Sequence, residues 1–208
     1  MNNLFALLST ALLLTSASTV FAASSADLTV KGLITPSACT PGLSSNVIDY
    51  GKVSAKDLKQ DSYTFLGESL LQMTLTCDAP TLLALQGVDN RGNAYDSYNA
   101  YGLGLVSGKK LGGYTLAFRN ATNNGAAISL LESGDNGRTW TENYLGDVLP
   151  ISFLASFGDR STGNWAPTPV QNVTSELNVQ TLISPTAGMD LTNEIPILGS
   201  ATLQVRYL

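Results

Sequence analysis

Apolar and polar residues alternate with a period of two in several separate stretches of this chain. Over residues 70–77, Leu71, Met73, Leu75 and Cys77 fall on one face of an extended strand, and Gln72, Thr74 and Thr76 fall on the other. That is the pattern of a half-buried β-strand. The last ten residues, 199–208, repeat it, with Ala201, Leu203, Val205 and Tyr207 on one face and Thr202, Gln204 and Arg206 opposite. Residues 28–34 alternate through Leu28, Val30 and Ile34 until Pro36 stops them. Strand-length runs also occur at 81–88, 113–119, 128–132, 149–156 and 177–184.

Turn residues separate these runs, as in Asp89-Asn-Arg-Gly-Asn93 and Asn123-Asn-Gly125. No amphipathic stretch of helical period and useful length is present. Short strands with Gly, Asn and Asp turns predict an all-β fold, a sandwich or a barrel. No Pro/Ser-rich linker divides the chain, so residues 23–208 are expected to form one domain, with residues 158–172 as a long loop inside it.

Residues 1–22 read differently. An apolar core over 4–14, a small polar exit at 16–19 and the small residues of Val20-Phe21-Ala22 make a secretory signal cleaved after Ala22. The run is too short for a membrane span, which needs about 20 apolar residues. Export places Cys39 and Cys77, the chain's 2 cysteines, in an oxidising compartment, where a structural disulfide is the simplest outcome. They lack the Cys-X-X-Cys spacing and the neighbouring His that a reactive thiol pair would need.

Composition narrows the function. Of the 208 residues, 44% are hydrophobic and only 13% charged, and the formal net charge is −5. A nucleic-acid partner would need a basic face, which this charge disfavours. The chain has no histidine, so the usual proton shuttle and the commonest metal ligand are both missing. Asp89, Asp96, Asp135, Asp147, Asp159 and Asp190 stand singly, without calcium-loop spacing. No catalytic residue, metal ligand or cofactor site is assigned, and an enzyme is not expected.

The final strand needs a neighbour. An apolar face beside an open strand edge must be paired, covered or completed, because the edge invites another chain to add to it.

Leu28-Thr-Val-Lys-Gly-Leu-Ile34, then Cys39, then Asn46-Val-Ile-Asp-Tyr-Gly-Lys-Val53, then Leu75-Thr-Cys77 resembles the opening of chaperone–usher pilus subunits. At the far end, the penultimate Tyr207 with Ala201, Leu203 and Val205 looks like the C-terminal strand of such pilins. More closely, Pro185-Thr-Ala-Gly-Met-Asp-Leu191 and the stretch from Glu194 to Leu208 are similar to a fimbrial-subunit family described mostly as a domain of unknown function. The resemblance covers the two ends and little of residues 81–175. It implies an immunoglobulin-like β-sandwich lacking one strand. In that case Gly199, Ala201, Leu203, Val205, Tyr207 and Leu208 would border an acceptor groove and meet a periplasmic pilus chaperone. Ala26, Leu28, Val30, Gly32 and Ile34 would belong to the donor or first strand. An outer-membrane usher and neighbouring pilus subunits would be the other partners, and a surface fimbria the destination.

Two further motifs point elsewhere. Ser133-Gly-Asp-Asn-Gly-Arg-Thr-Trp140 matches the Asp-box hairpin of sialidases and other β-propellers. Here it reads as a structural turn, since a propeller would need several copies. Tyr95, Tyr98 and Tyr101, with Trp140, could form a sugar-contacting face, because sugars stack on aromatic rings. The competing hypothesis is therefore a self-contained secreted carbohydrate-binding module or tip adhesin.

Overall fold

The computed structural model describes residues 38–144 and 147–208. The signal segment at 1–22 and the positions Ala26, Leu28, Val30, Gly32 and Ile34 lie outside the described residues. The strands in chain order are β1 (Cys39–Leu43), β2 (Thr64–Thr81), β3 (Leu83–Asp89), β4 (Tyr101–Gly102), β5 (Leu105–Val106), β6 (Lys109–Lys110) and β7 (Gly112–Asn123). They continue with β8 (Ala126–Ala127), β9 (Ser129–Ser133), β10 (Thr141–Glu142), β11 (Leu154–Asp159), β12 (Ala166–Pro167), β13 (Val170–Ile183) and β14 (Ala201–Tyr207). The described helical structure is one 3₁₀ turn, Ala55–Asp57. No described helix is long and apolar enough to cross a membrane.

All strand pairs among the described residues are antiparallel. One large sheet has the order β1-β2-β13-β7-β4, with β8 beside β7, the other large sheet has β10-β9-β11-β3-β14, with β12 beside β11, and β5 pairs with β6 in a separate two-stranded ribbon. Residues Thr35–Leu208 make one compact unit. Its main core draws Met73, Leu75, Leu116, Phe118, Leu177 and Val179 from the first sheet and Leu83, Leu85, Leu130 and Phe157 from the second. The fold is thus all-β, with two antiparallel sheets sharing a core. The alternation at 70–77 has its cause here: Met73, Leu75 and Cys77 are buried while Gln72, Thr74 and Thr76 face solvent.

Cys39 and Cys77 sit directly opposite in the β1–β2 register and form a disulfide, with Cα atoms 4.0 Å apart. Several strand bounds differ from those expected. The runs at 70–77 and 81–88 belong to one extended course from Thr64 to Asp89 that leaves the first sheet and enters the second at Leu82. A period-two pattern carries no signal of the sheet to which each half pairs. Residues 149–153 are not in a strand. Leu149 donates its N–H to the Leu116 carbonyl at 2.9 Å, and the strand proper begins at Leu154. Residues 158–172 are not one loop either, since β12 folds back on β11 through Gly158↔Pro167 and β13 starts at Val170.

Candidate functional site

The pairing of β14 defines the site. Among the described residues its only strand neighbour is β3, in the register Leu203↔Gly87 and Val205↔Leu85. At its two ends, Asn90 donates to the Ser200 carbonyl at 3.0 Å and Leu208 donates to the Leu82 carbonyl at 3.1 Å. In an antiparallel ladder the bonding direction alternates residue by residue. The even-numbered residues of β14 therefore bond to β3, and the backbone groups of Ala201, Leu203, Val205 and Tyr207 point to the opposite side. No described strand pairs there.

Beside that open edge lies a groove of about 930 Å³. Its floor is the inner face of the first sheet, including Leu71, Leu116, Leu177 and Val179. One wall is β14 with Leu203, and the other is the stretch after β1, including Ile48 and Tyr50. That second wall is irregular, and its placement rests on side chains. The Tyr50 hydroxyl donates to Thr181 Oγ1 at 2.8 Å, and Ile48 packs against the main core. Gly51, at φ +61°, allows a turn that a side chain would strain.

The groove has closed ends. At one, the Cys39 N–H donates to the Tyr207 hydroxyl at 3.0 Å, clasping β1 to β14 next to the disulfide. At the other, Ile195 and Ile197 pack on Leu103, Leu111 and Ile183. There Gly199 crosses so close to Tyr114 that a Cβ would lie 2.5 Å from Cε1 of the ring. Only glycine fits. Lys52 and Glu194 face each other across the mouth at 3.8 Å, both almost fully exposed, so the pair contributes little.

Beneath this site, Tyr101 stacks on Tyr114 with ring centroids 5.4 Å apart. Burial, with the Asp89 carboxylate as the second cause, pushes the Tyr101 phenol up to about 12 and also raises Tyr114. The Tyr101 hydroxyl has no hydrogen-bond partner among the described residues, and a Cβ at residue 87 would lie 1.8 Å from it. Gly87 makes the space that the phenol fills.

The expected groove residues divide. Gly199, Ala201 and Leu203 line the groove. Val205 is half-buried against the core, Tyr207 acts as the clasp, and the Leu208 side chain approaches Gly137. Tyr50, Leu177, Val179 and Leu103 were not among the expected site residues. The apolar positions of 177–184 signalled a strand, but which of its faces would meet an open edge depends on pairing.

The aromatic set does not come together as one face. Tyr101 is fully buried in the core and cannot meet a surface ligand, a correction caused by the Gly87 recess. Trp140 lies under the 133–140 hairpin, its Nε1 donating to the Gly137 carbonyl at 3.2 Å. Tyr95 and Tyr98 do line a common depression. The hairpin closes its own polar groups. Asp135 accepts from the Thr139 hydroxyl at 2.6 Å, the Thr139 N–H at 2.9 Å and the Ser133 hydroxyl at 2.8 Å, which hold its carboxyl well below the usual range. Among the described residues no group of three or more Asp, Glu or Cys side chains is placed to hold a metal ion.

Fold and site define a class: an antiparallel β-protein of two large sheets in which, among the described residues, one sheet edge is unpaired beside a groove with an apolar floor. Residues 28–107 match a family described as "Protein of unknown function (DUF1120)". The chain is 26% identical over 225 residues to "Protein GltF" of Escherichia coli (strain K12), with 88% of each covered. It is 25% identical over 222 residues to "Uncharacterized protein YhcF" of the same organism, covering 90% of this chain and 92% of that one.

Proposed function

We propose that this protein is a structural subunit of a bacterial surface fimbria, whose immunoglobulin-like sandwich is completed by a strand from another molecule. A periplasmic chaperone lends that strand first. A neighbouring subunit, delivered through an outer-membrane usher, then replaces it, and the finished fibre supports adhesion. The observation that carries this reading is the edge of β14, seven residues long and unpaired among the described residues, beside the groove floored by Leu71, Leu116, Leu177 and Val179. Strand addition at such an edge supplies main-chain hydrogen bonds, and alternate side chains of the added strand enter the groove. Each apolar side chain so buried contributes about 1.5–3 kcal/mol. The resemblance at 28–77 and 185–208 supplies the identity of the assembly.

The test is expression of the exported chain alone, with a matching chaperone, and with an alternating apolar segment fused through a flexible linker after Leu208. The chain alone should be degraded or aggregate, and the other two should accumulate as soluble protein. Equal recovery of a stable monomer in all three cases contradicts the proposal.

A further inference from the structure

We propose that the depression on the outer face of the first sheet is a binding site for a small neutral carbohydrate. The depression has a volume of about 570 Å³, within the range of small-ligand sites. Tyr95, Tyr98 and Phe153 supply rings, and Thr115, Gln180 and Glu132 supply polar groups.

The rings are held in place before any ligand arrives. Asp96 accepts from the Tyr98 N–H at 2.9 Å and from Asn99 Nδ2 at 2.8 Å, which fixes the 95–99 loop. Ile151 donates to the Tyr98 carbonyl at 3.0 Å, and Tyr98 meets Phe153 edge-on, with centroids 5.9 Å apart. Even so, the Tyr98 side chain stays 52% exposed. A preorganised, half-open ring lowers the ordering cost of stacking a ligand on it.

The polar groups are the second, independent observation. Thr115 is 9% exposed, and its hydroxyl makes no hydrogen bond to any described residue. Thr115 lines the depression, so a ligand hydroxyl seated there can bond to it. The half-exposed Gln180 amide has no bond to a described residue, and Glu132 has one oxygen engaged by Asn143 Nδ2 at 2.8 Å. No Lys or Arg lines the depression. Rings with a hydroxyl, an amide and the three carboxylates of Asp96, Glu132 and Asp147, and no cation among the described lining residues, offer acceptors to a ligand rich in hydroxyls and disfavour an anionic one.

The site is independent of the assembly reading and compatible with it. Along β13, Val179 and Thr181 line the groove while Gln180 and Leu182 line the depression; along β7, Tyr114 and Leu116 line the groove and Thr115 the depression. The two sites occupy opposite faces of one sheet, so a strand seated in the groove leaves the depression open.

Saturation-transfer NMR on the full chain with the alternating apolar segment fused after Leu208 tests this with methyl α-mannoside, methyl β-galactoside and N-acetylglucosamine as neutral probes, sialic acid as an anion and choline as a cation. At least one neutral sugar should receive transfer. Tyr98→Ala and Thr115→Val should each weaken its binding by about fivefold or more. Val47→Ala, at an exposed position lining neither site, should leave it unchanged. Each variant's methyl proton spectrum reports its folding. Thr115→Val keeps the side-chain volume and decides the question if Tyr98→Ala does not fold. No transfer to any neutral sugar, transfer to choline or sialic acid alone, or undiminished binding by Thr115→Val overturns the proposal.

Discussion

At one edge of the second sheet, β10 is two residues long, and the hairpin leading to it satisfies its own polar groups. Asp135 gathers the donors of residues 133–139, and Asn136 and Gly137 take the positive φ values, 63° and 87°, that the turn requires. At the other edge, β14 runs seven residues with half of its backbone groups facing no described strand. A short, self-bonded edge offers nothing to an added chain, whereas a long regular one is a template. The two edges differ in that the hairpin residues close the polar groups of the first, whereas no described residue closes those of the second.

The largest change available is to close the open edge. A fused donor strand seating three apolar side chains should stabilise the chain by roughly 5–9 kcal/mol. At about 2–4 °C per kcal/mol, thermal unfolding should rise by at least ~10 °C. A rise of only a degree or two would mean that the groove is already filled from within.

Cutting the clasped corner comes next. Replacing both Cys39 and Cys77 by Ala opens a loop spanning a sequence separation of 38 and should cost about 4 kcal/mol by chain entropy. Denaturant unfolding measures it, and a loss well below 2 kcal/mol would mean that β1 is held mainly by other contacts.

Tyr101 asks whether the core beneath the open edge is itself sealed. Its phenol is raised from the ordinary 10 to about 12, so the unfolded chain loses this proton at lower pH than the folded one. The contribution is complete below pH 10 and is lost as pH rises towards 12, a decline of about 2–3 kcal/mol. Unfolding measured across that window, with phenolate absorbance, should show it. Titration of all tyrosines near 10 would mean that water reaches the core through the groove.

The smallest effect belongs to the closed edge. Asp135→Ala should speed amide exchange at Arg138 and Thr139, whose N–H groups the carboxylate accepts, and leave β14 unchanged. Spread of the effect into β14 would point to coupling through Arg206, whose Nη1 donates to Asn136 Oδ1 at 2.9 Å.

What could be read in the chain beforehand was local chemistry. The alternation at 70–77 and 201–207, the Asn124-Gly125 turn with φ of 50° and 82° and the Asp135 hairpin each depend on neighbours in sequence. The Cys39–Cys77 pairing followed from compartment and count. The change of sheet at Leu82, the partner of Leu149 and the buried place of Tyr101 depend on distant contacts. Tyr101 illustrates the difficulty, since its burial requires a glycine at 87 on another strand. The groove was half legible: β14 announced an apolar face, but its far wall is held by the Tyr50 hydroxyl on Thr181, a bond between residues far apart in sequence.

Amide hydrogen exchange along β14 tests the central claim most directly, because the bonding direction alternates residue by residue. In the chain refolded in vitro at low concentration, away from periplasmic proteases, the N–H groups of Thr202, Gln204 and Arg206 should be protected, and those of Leu203 and Val205 should exchange quickly. Addition of a donor strand should then protect Leu203 and Val205 as well. Protection of all five before any strand is added would show that the edge is already closed and would contradict the account.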